Sequence, residues 1–346
     1  MTFKSILNKL SFSEDLTLIE AGWALTQIME GEVPEEQIAA FLTAMRMKGE
    51  TVDELTAFVK VMRDKSIKVD VDVTNAIDLV GTGGDKSGTF NISTAASFVV
   101  AGAGVPVIKH GNRSASSKCG SADVLEYLGA AIELGKEGVE QVYDEVGMAF
   151  MFAPMFHPAM KYVMPTRRQL GFRTFFNILG PMANPAGVKK YVIGAFDNEV
   201  AHKMASILAN LDTDFAYTFN ADDGLDEVSI TGNSTIFELQ NKKVSDSYRF
   251  NPSSLGFKTY EMEQLMGDDA DKNASILKNI LANKSTEAQK DIVLINATFA
   301  IKASGLVDTL EDAKEKAVDS LESGNARKVF NNFIDATNDA MGVFKY

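Results

Sequence analysis

The stretch from Lys109 to Ser121, KHGNRSASSKCGS, limits most severely how this chain can fold. Val105, Val107 and Ile108 ahead of it read as a short buried strand, and Asp123 to Tyr127 behind it as the first turns of a helix. Gly111 to Ser121 alone holds two cations, four hydroxyls, an amide and two glycines. The cations are Arg113 and Lys118, and Lys109 adds a third just upstream. Such a loop cannot build a core. It gathers donors at the carboxyl end of a strand, where open α/β sheets bind ligands. Helix N-termini and glycine-flanked loops offer backbone N–H groups to anions, so a phosphate-rich ligand suits it.

The same strand–loop–helix pattern occurs earlier. Ile77 to Val80 runs into Gly81-Thr82-Gly83-Gly84-Asp85, and Asn91-Ile92-Ser93-Thr94 opens a helix through Ala95, Phe98, Val99 and Gly102. That order aims backbone N–H groups and a helix dipole at a phosphate, although it is neither a Walker loop nor a GxGxxG fingerprint. A helix over 136–146 and a strand over 148–152 continue the alternation. Residues 159–170 read as mostly helical with an interruption at Pro165. Strands at 191–196 and 215–219 flank a helix at 200–211. The second strand leads into Asn220 to Glu227, and 235–239 with 244–250 form an antiparallel hairpin around Asn241-Lys242-Lys243. From Ala270 onward the pattern is helical, at 271–282, 286–303, 308–323 and 325–338.

Residues 1–65 are helical throughout. Ser11 and Glu14 have capping-box spacing ahead of an apolar run through Leu16, Ile19, Trp23 and Ile28 that ends at Gly31. Pro34 suits a first helical position, and Ile38, Phe41, Leu42 and Met45 make one face, stopped by Gly49. Thr51 and Glu54 form a second capping box. The expectation is three helices in a small domain. The predicted fold class is α/β: a small all-α N-terminal domain, and a large α/β domain with a central, mostly parallel sheet flanked by helices. The small domain covers 1–70 with a return segment near 167–187; the large one covers 71–166 and 188–346.

The net charge of −13 argues against a nucleic-acid-binding or anionic-membrane surface, which needs a basic face. An acidic protein that binds a polyanion must gather its cations in one place, with Mg²⁺ as a further source of positive charge. No run approaches the ~18 apolar residues of a membrane helix. One cysteine, Cys119, excludes an intrachain disulfide, and with three histidines makes a Cys/His zinc site a poor reading. A cytoplasmic location is expected.

Three loops that follow predicted strands fall on one sheet edge: 81–94, 109–121 and 220–227. The first supplies backbone donors with Ser93 and Thr94, the second cations, the third the adjacent carboxylates Asp226 and Glu227. Carboxylates of that kind suit Mg²⁺ shared with substrate phosphates. In a chain with 47 acidic residues a solvated surface pair is an equally good reading of them.

Six motifs in order then carry a resemblance: GTGGD at 81–85, NIST at 91–94, KHGNRSASSKCGSADVLEYLG at 109–129, HPAMK at 157–161, RTFFNILGPMANP at 173–185 and DGLDE at 223–227. Together they resemble the anthranilate phosphoribosyltransferase family of tryptophan biosynthesis. The resemblance implies transfer of a phosphoribosyl group from phosphoribosyl pyrophosphate to anthranilate, two Mg²⁺ ions, and a homodimer formed through the small helical domain. It places the phosphoribosyl pyrophosphate site on Gly81, Gly84, Asp85, Thr89, Asn91, Ile92, Ser93, Thr94, Lys109, His110, Gly111, Asn112, Arg113, Ser114, Ala115, Ser116, Ser117 and Ser121. It places metal ligands at Ser93, Asp226 and Glu227. Anthranilate contacts fall on Gly81, Asn112, His157 and Arg167, with His110 and Pro181 nearby, and Lys109, His110 and Arg167 are the implied catalytic residues. Cys119 stands where serine is common in the family.

Two readings compete. Pyrimidine nucleoside phosphorylases share the architecture but need no Asp-Glu metal pair, and the KHGNR and DGLDE stretches speak against them. A nucleic-acid-binding relative without transferase activity is opposed by the net charge and by Arg167.

Overall fold

The structure is a computed structural model that describes residues 1–84, 87–114 and 118–343. Four helices open the chain, one more than expected: α1 (Phe3–Ser11), α2 (Leu18–Met29), α3 (Glu35–Lys48) and α4 (Val52–Asp64). The start signal of α1 sits at Thr2, whose hydroxyl accepts from the Ser5 amide while Ser5 accepts from the Thr2 amide. Ser11 closes α1 instead of opening α2. Its hydroxyl donates to the Asn8 carbonyl at 2.6 Å, and Ser13 turns the chain at φ 58°. The α2 capping box is Thr17 with Glu20. Pro34 is the N-cap of α3, one residue before the expected position, because α3 begins at Glu35. Thr51 and Glu54 cap α4 as expected. The buried Glu54 carboxylate also pairs with Lys48 at 2.9 Å and accepts from the Leu16 amide at 2.8 Å, tying the helices together.

Five strands, β1 (Ile77–Gly81), β2 (Val107–Gly111), β3 (Met148–Phe152), β4 (Lys190–Gly194) and β5 (Phe215–Ala221), run parallel. β6 (Ser234–Gln240) joins antiparallel to β5, and β7 (Lys243–Val244) and β8 (Tyr248–Phe250) both pair antiparallel with β6. The hairpin turn at Asn241 and Lys242 has positive φ at both residues. Between β1 and β2 lies α5 (Ile92–Gly102). Between β2 and β3 lie α6 (Ser121–Tyr127) and α7 (Lys136–Val146). Short helices α8 (Ala153–Phe156), α9 (Met164–Leu170) and α10 (Phe176–Leu179) connect β3 to β4, and α11 (Asn198–Ala209) connects β4 to β5. The predicted break at Pro165 falls instead at Val163, between a 3₁₀ turn over Pro158–Tyr162 and α9, because proline is accepted in the first turn of a helix. The chain ends with α12 (Ala270–Leu281), α13 (Glu287–Ser304), α14 (Leu310–Glu322) and α15 (Asn325–Val343).

The parallel strands are buried on both faces, and β3 (Met-Ala-Phe-Met-Phe) is buried at every position, as strands covered by helices must be. One expectation changes. The second strand starts at Val107 and runs through Gly111, so Lys109 and His110 belong to the sheet and not to the loop. Pro106 has no N–H to give the ladder, while Lys109 and His110 find register partners in Phe150 and Met151 of β3. The strand order is β3-β2-β1-β4-β5-β6-β7. The chain grows outward from β1 to β3, then returns to the other side of β1. That reversal opens a crevice at the carboxyl ends of β1 and β4. Beside it, Phe175 stacks on Phe58 at 4.5 Å and meets Phe41 edge-on at 6.1 Å.

Candidate active site

The crevice is lined by the loops after β1, β2 and β5. Asp226, buried, lies against the ends of β1 and β4 and accepts from the Gly83 amide at 2.6 Å. A Cβ on Gly81 would overlap this carboxylate, so a side chain there would push Asp226 out of place. Glu227 Oε1 accepts from the Ser93 amide, in the first turn of α5, at 3.1 Å. The two carboxylates are therefore not a solvated surface pair: both are drawn onto the glycine loop and the helix N-terminus. Lys109 lies beneath them at 2 % exposure, donating to the Leu79 carbonyl and, at 3.3 Å, to Ser93 Oγ. Burial pulls its ammonium below the usual range, and the charges of Asp78, Glu227 and Asp226 oppose that shift.

Ser93, Asp226 and Glu227 thus meet at one place, and their hard oxygens suit a small divalent cation. Among the described residues no cluster of three or more His, Cys, Asp or Glu side chains could hold a metal alone. Two carboxylates and a hydroxyl are fewer ligands than such a cation takes, so the remainder would come from water or a bound ligand.

The loop after β2 departs from expectation. Arg113 and Lys118 are not free cations. Arg113 pairs with Glu126 at 2.7 Å and Asp123 at 3.2 Å over the Phe152 ring, and Lys118 pairs with Asp268. Acidic residues one turn apart at the start of α6 neutralise the arginine. Asp123 also clamps the loop, accepting from the Gly120 amide at 2.7 Å and the Ser114 amide at 3.1 Å. Asn112 accepts from the Arg113 amide through its side chain, and its carbonyl accepts from Ser121 Oγ at 3.3 Å. Thr89 forms a β-bridge with Met266. Asn91, Ile92, Ser93 and Thr94 form the N-terminus of α5. Asp85, Ala115, Ser116 and Ser117 lie outside the described residues.

Two buried histidines stand together on the other side of β2. The His110 and His157 rings are 5.1 Å apart, and His110 Nδ1 faces the Gly180 carbonyl at 3.3 Å, next to Pro181. His110 Nε2 and both His157 ring nitrogens lack a hydrogen-bond partner among the described residues. Burial lowers His157 to about 4; burial and the neighbouring His157 lower His110 to about 3. Both rings are neutral at pH 7. Arg167 is on α9. Its guanidinium lies over the Phe176 ring at 5.1 Å, touches Asn177 Oδ1 at 3.4 Å, and has no carboxylate partner among the described residues. A guanidinium can take a planar acid through two parallel bonds. Arg168 beside it is exposed.

Three residues escaped the sequence reading. Asp78 is buried in β1, accepts from Asn184 Nδ2 at 2.8 Å and from the His110 amide, and is pushed up to about 6 by burial against the pull of Lys109. Asn184 also donates to the Ile108 carbonyl at 3.0 Å, so it bolts β1 to β2 beneath Lys109. An aspartate inside an otherwise apolar strand was the available signal. Arg173 donates to the Gly84 carbonyl and lies over Phe196 at 4.6 Å. It opens the RTFFNILGPMANP stretch, but no spacing marks its guanidinium.

Comparison with known proteins agrees with the fold. Residues 4–66 match the helical bundle domain of a glycosyl transferase family, and residues 73–327 match the α/β domain of the same family. The chain is 47% identical to an anthranilate phosphoribosyltransferase from Salinibacter ruber over 97% of this chain and 98% of the relative. It superposes on the crystal structure of the Thermus thermophilus anthranilate phosphoribosyltransferase with a TM-score of 0.90 at 35% identity, covering 96% of this chain and 99% of that one. The Saccharomyces cerevisiae enzyme in complex with PRPP and Mg gives a TM-score of 0.89 at 27% identity, covering 97% and 98%.

Proposed function

This chain belongs to the anthranilate phosphoribosyltransferase family, and from that membership we infer that it transfers the 5-phosphoribosyl group of phosphoribosyl pyrophosphate to the amino group of anthranilate. The products are N-(5-phosphoribosyl)anthranilate and pyrophosphate, in tryptophan biosynthesis. The observation that carries the site assignment is the docking of Asp226 and Glu227 onto Gly83 and Ser93 above Lys109.

The aniline nitrogen forms a bond to C1 of the ribose as the C1–O bond to pyrophosphate breaks, and the nitrogen then sheds a proton. Negative charge builds on the leaving group. The Thr94 amide at the start of α5 and the Lys109 ammonium are the groups assigned to stabilise that charge. Ser93, Asp226 and Glu227 would hold Mg²⁺, which supplies Lewis-acid stabilisation of the phosphate oxygens when bound. Arg167 holds the anthranilate carboxylate in a fork, and the neutral His110 and His157 rings orient the aromatic acid rather than carry a proton at pH 7. The amine is already a nucleophile, so positioning matters more than a base. Asp78 lies among the charges that favour the protonated form of Lys109.

A second Mg²⁺ belongs to the same proposal. So does the domain division, with 1–70 and 167–187 on one side and 71–166 with 188–346 on the other. Homodimerisation through the small domain is supported by Phe12, Ile19 and Met47, exposed at 71 %, 74 % and 82 %. No helix among the described residues is long and apolar enough to cross a membrane. A cytoplasmic location is proposed on pathway and on the single, buried cysteine. The test is fluorescence: anthranilate emission falls when phosphoribosyl pyrophosphate and Mg²⁺ are added. Unchanged emission, with phosphate-dependent release of base from a pyrimidine nucleoside instead, would replace the transferase reading.

A further inference from the structure

Both ligand loops are held from behind by residues 265–273, which the reaction does not use. The Phe90 amide donates to the Leu265 carbonyl at 3.2 Å, and the Gly267 amide donates to the Gly88 carbonyl at 2.9 Å. A Cβ on Gly267 would come within 2.7 Å of the Phe90 backbone, so only glycine permits this approach. Lys118 in the second loop pairs with Asp268. At the centre is Asn273, on α12, at 2 % exposure. Its Oδ1 accepts from the Asp268 amide at 2.8 Å, and its Nδ2 donates to Asn91 Oδ1 at 3.1 Å. Asn91 Nδ2 in turn donates to the Cys119 carbonyl at 3.1 Å. One chain of amides therefore joins α12, the N-terminus of α5 and the loop after β2.

Asn91 is the N-cap of α5, and asparagine is among the strongest side chains at that position. Yet it makes no side-chain bond to its own helix. Its amide is turned away: the oxygen accepts from Asn273 Nδ2 and more weakly from the Cys119 thiol at 3.6 Å, and the nitrogen donates to the Cys119 carbonyl. We propose that Asn273 is a positioning residue for phosphoribosyl pyrophosphate: it holds Asn91 Oδ1 off the helix, leaving the Thr94 amide for phosphate, since the Ile92 amide donates to the Phe90 carbonyl and the Ser93 amide to Glu227. Without that donor, Asn91 caps its own helix and competes with the substrate for the Thr94 N–H. The proposal rests on the reading of residues 91–94 as part of the phosphoribosyl pyrophosphate site.

The discriminating variant is Asn273→Asp. It keeps the volume and the acceptor for Asp268, but sets an oxygen against Asn91 Oδ1. With both substrates varied, KM for phosphoribosyl pyrophosphate should rise about tenfold, as loss of one hydrogen bond allows, while KM for anthranilate and the thermal midpoint stay near wild type. Asn91→Gly removes the competing oxygen at little cost to the helix. Combined with Asn273→Asp it should show less than the sum of the two losses. Additive losses, an unchanged KM for phosphoribosyl pyrophosphate in Asn273→Asp, or equal rises in both KM values would overturn the proposal. If Asn273→Asp does not fold, Asn273→Ala carries the same cycle; failure of both to fold makes Asn273 structural and also overturns it. The underlying site reading fails separately, if Asn91→Gly alone leaves KM for phosphoribosyl pyrophosphate unchanged.

Discussion

Replacing Arg167 by alanine separates the two substrates. In the free protein the guanidinium has a ring beneath it, Phe176 at 5.1 Å, one long bond to Asn177 and a weak contact with the Met164 sulfur at 3.7 Å. Losing these contacts costs about 0.5–1 kcal/mol for the ring and no more than about 1 kcal/mol for the bond. Removing a cation that burial already disfavours offsets part of that loss. The thermal midpoint should therefore move by only a few degrees. In the complex the same side chain meets a carboxylate through two charge-assisted bonds, worth about 1.5–3 kcal/mol together at the least, so KM for anthranilate should rise roughly 10- to 150-fold. KM for phosphoribosyl pyrophosphate should stay within about twofold, because Lys109 and α5 lie elsewhere in the crevice. Arg167→Lys keeps the charge without the fork and should fall between wild type and alanine. Arg168→Ala, at an exposed position, is the control. The assay is initial-rate fluorescence with each substrate varied against saturating partner, alongside thermal unfolding. Equal rises in the two KM values, or a larger effect at Arg168, would refute the placement of the carboxylate anchor.

Asp226→Asn combined with Glu227→Gln should leave the protein folded but raise the Mg²⁺ concentration for half-maximal turnover by at least about tenfold, since the cation loses both protein charges; a wild-type Mg²⁺ titration would remove these residues from the metal site. Cys119 is buried and its thiol is pushed up to about 11 by burial, so alkylation at pH 8 should be slow in the folded enzyme and Cys119→Ser should retain activity; rapid labelling with loss of activity would contradict the packing. Below pH 6.5 the unfolded chain binds protons that His157 and His110 refuse until about 4 and about 3, so these rings lower stability as pH falls, by on the order of 1 kcal/mol per pH unit each. Asp78, raised to about 6, acts in the opposite sense over pH 6 to 4, so the comparison is between variants. Urea unfolding from pH 7 to 5 should show a shallower loss for His157→Asn than for wild type, and identical slopes would mean that the ring is protonated in the fold.

The sequence alone determined the layered plan, because that plan is written in local spacing. Short apolar runs ahead of Gly81 and Lys109 become parallel strands, and the glycine and hydroxyl loops after them must fall at one sheet edge. Asp226 and Glu227 were open to two readings until the sheet order brought β5 within reach of β1, since an acidic pair looks the same locally whether solvated or docked. Local signals also misled where two were adjacent: Ser11 and Glu14 have the right spacing, but Thr17 and Glu20 stand directly at the start of α2 and take the cap. Only the tertiary structure decided which charges are spent. Arg113 and Lys118 are consumed by Glu126 and Asp268, while Lys109 is buried with carboxylates as its neighbours. The bonds that hold the site in shape join residues far apart in the chain, 106 positions for Asn184 with Asp78 and 182 for Asn273 with Asn91. A hydrogen bond leaves no periodicity in either partner's neighbourhood. Such polar pairs become visible only when packing has removed the water that would otherwise satisfy them.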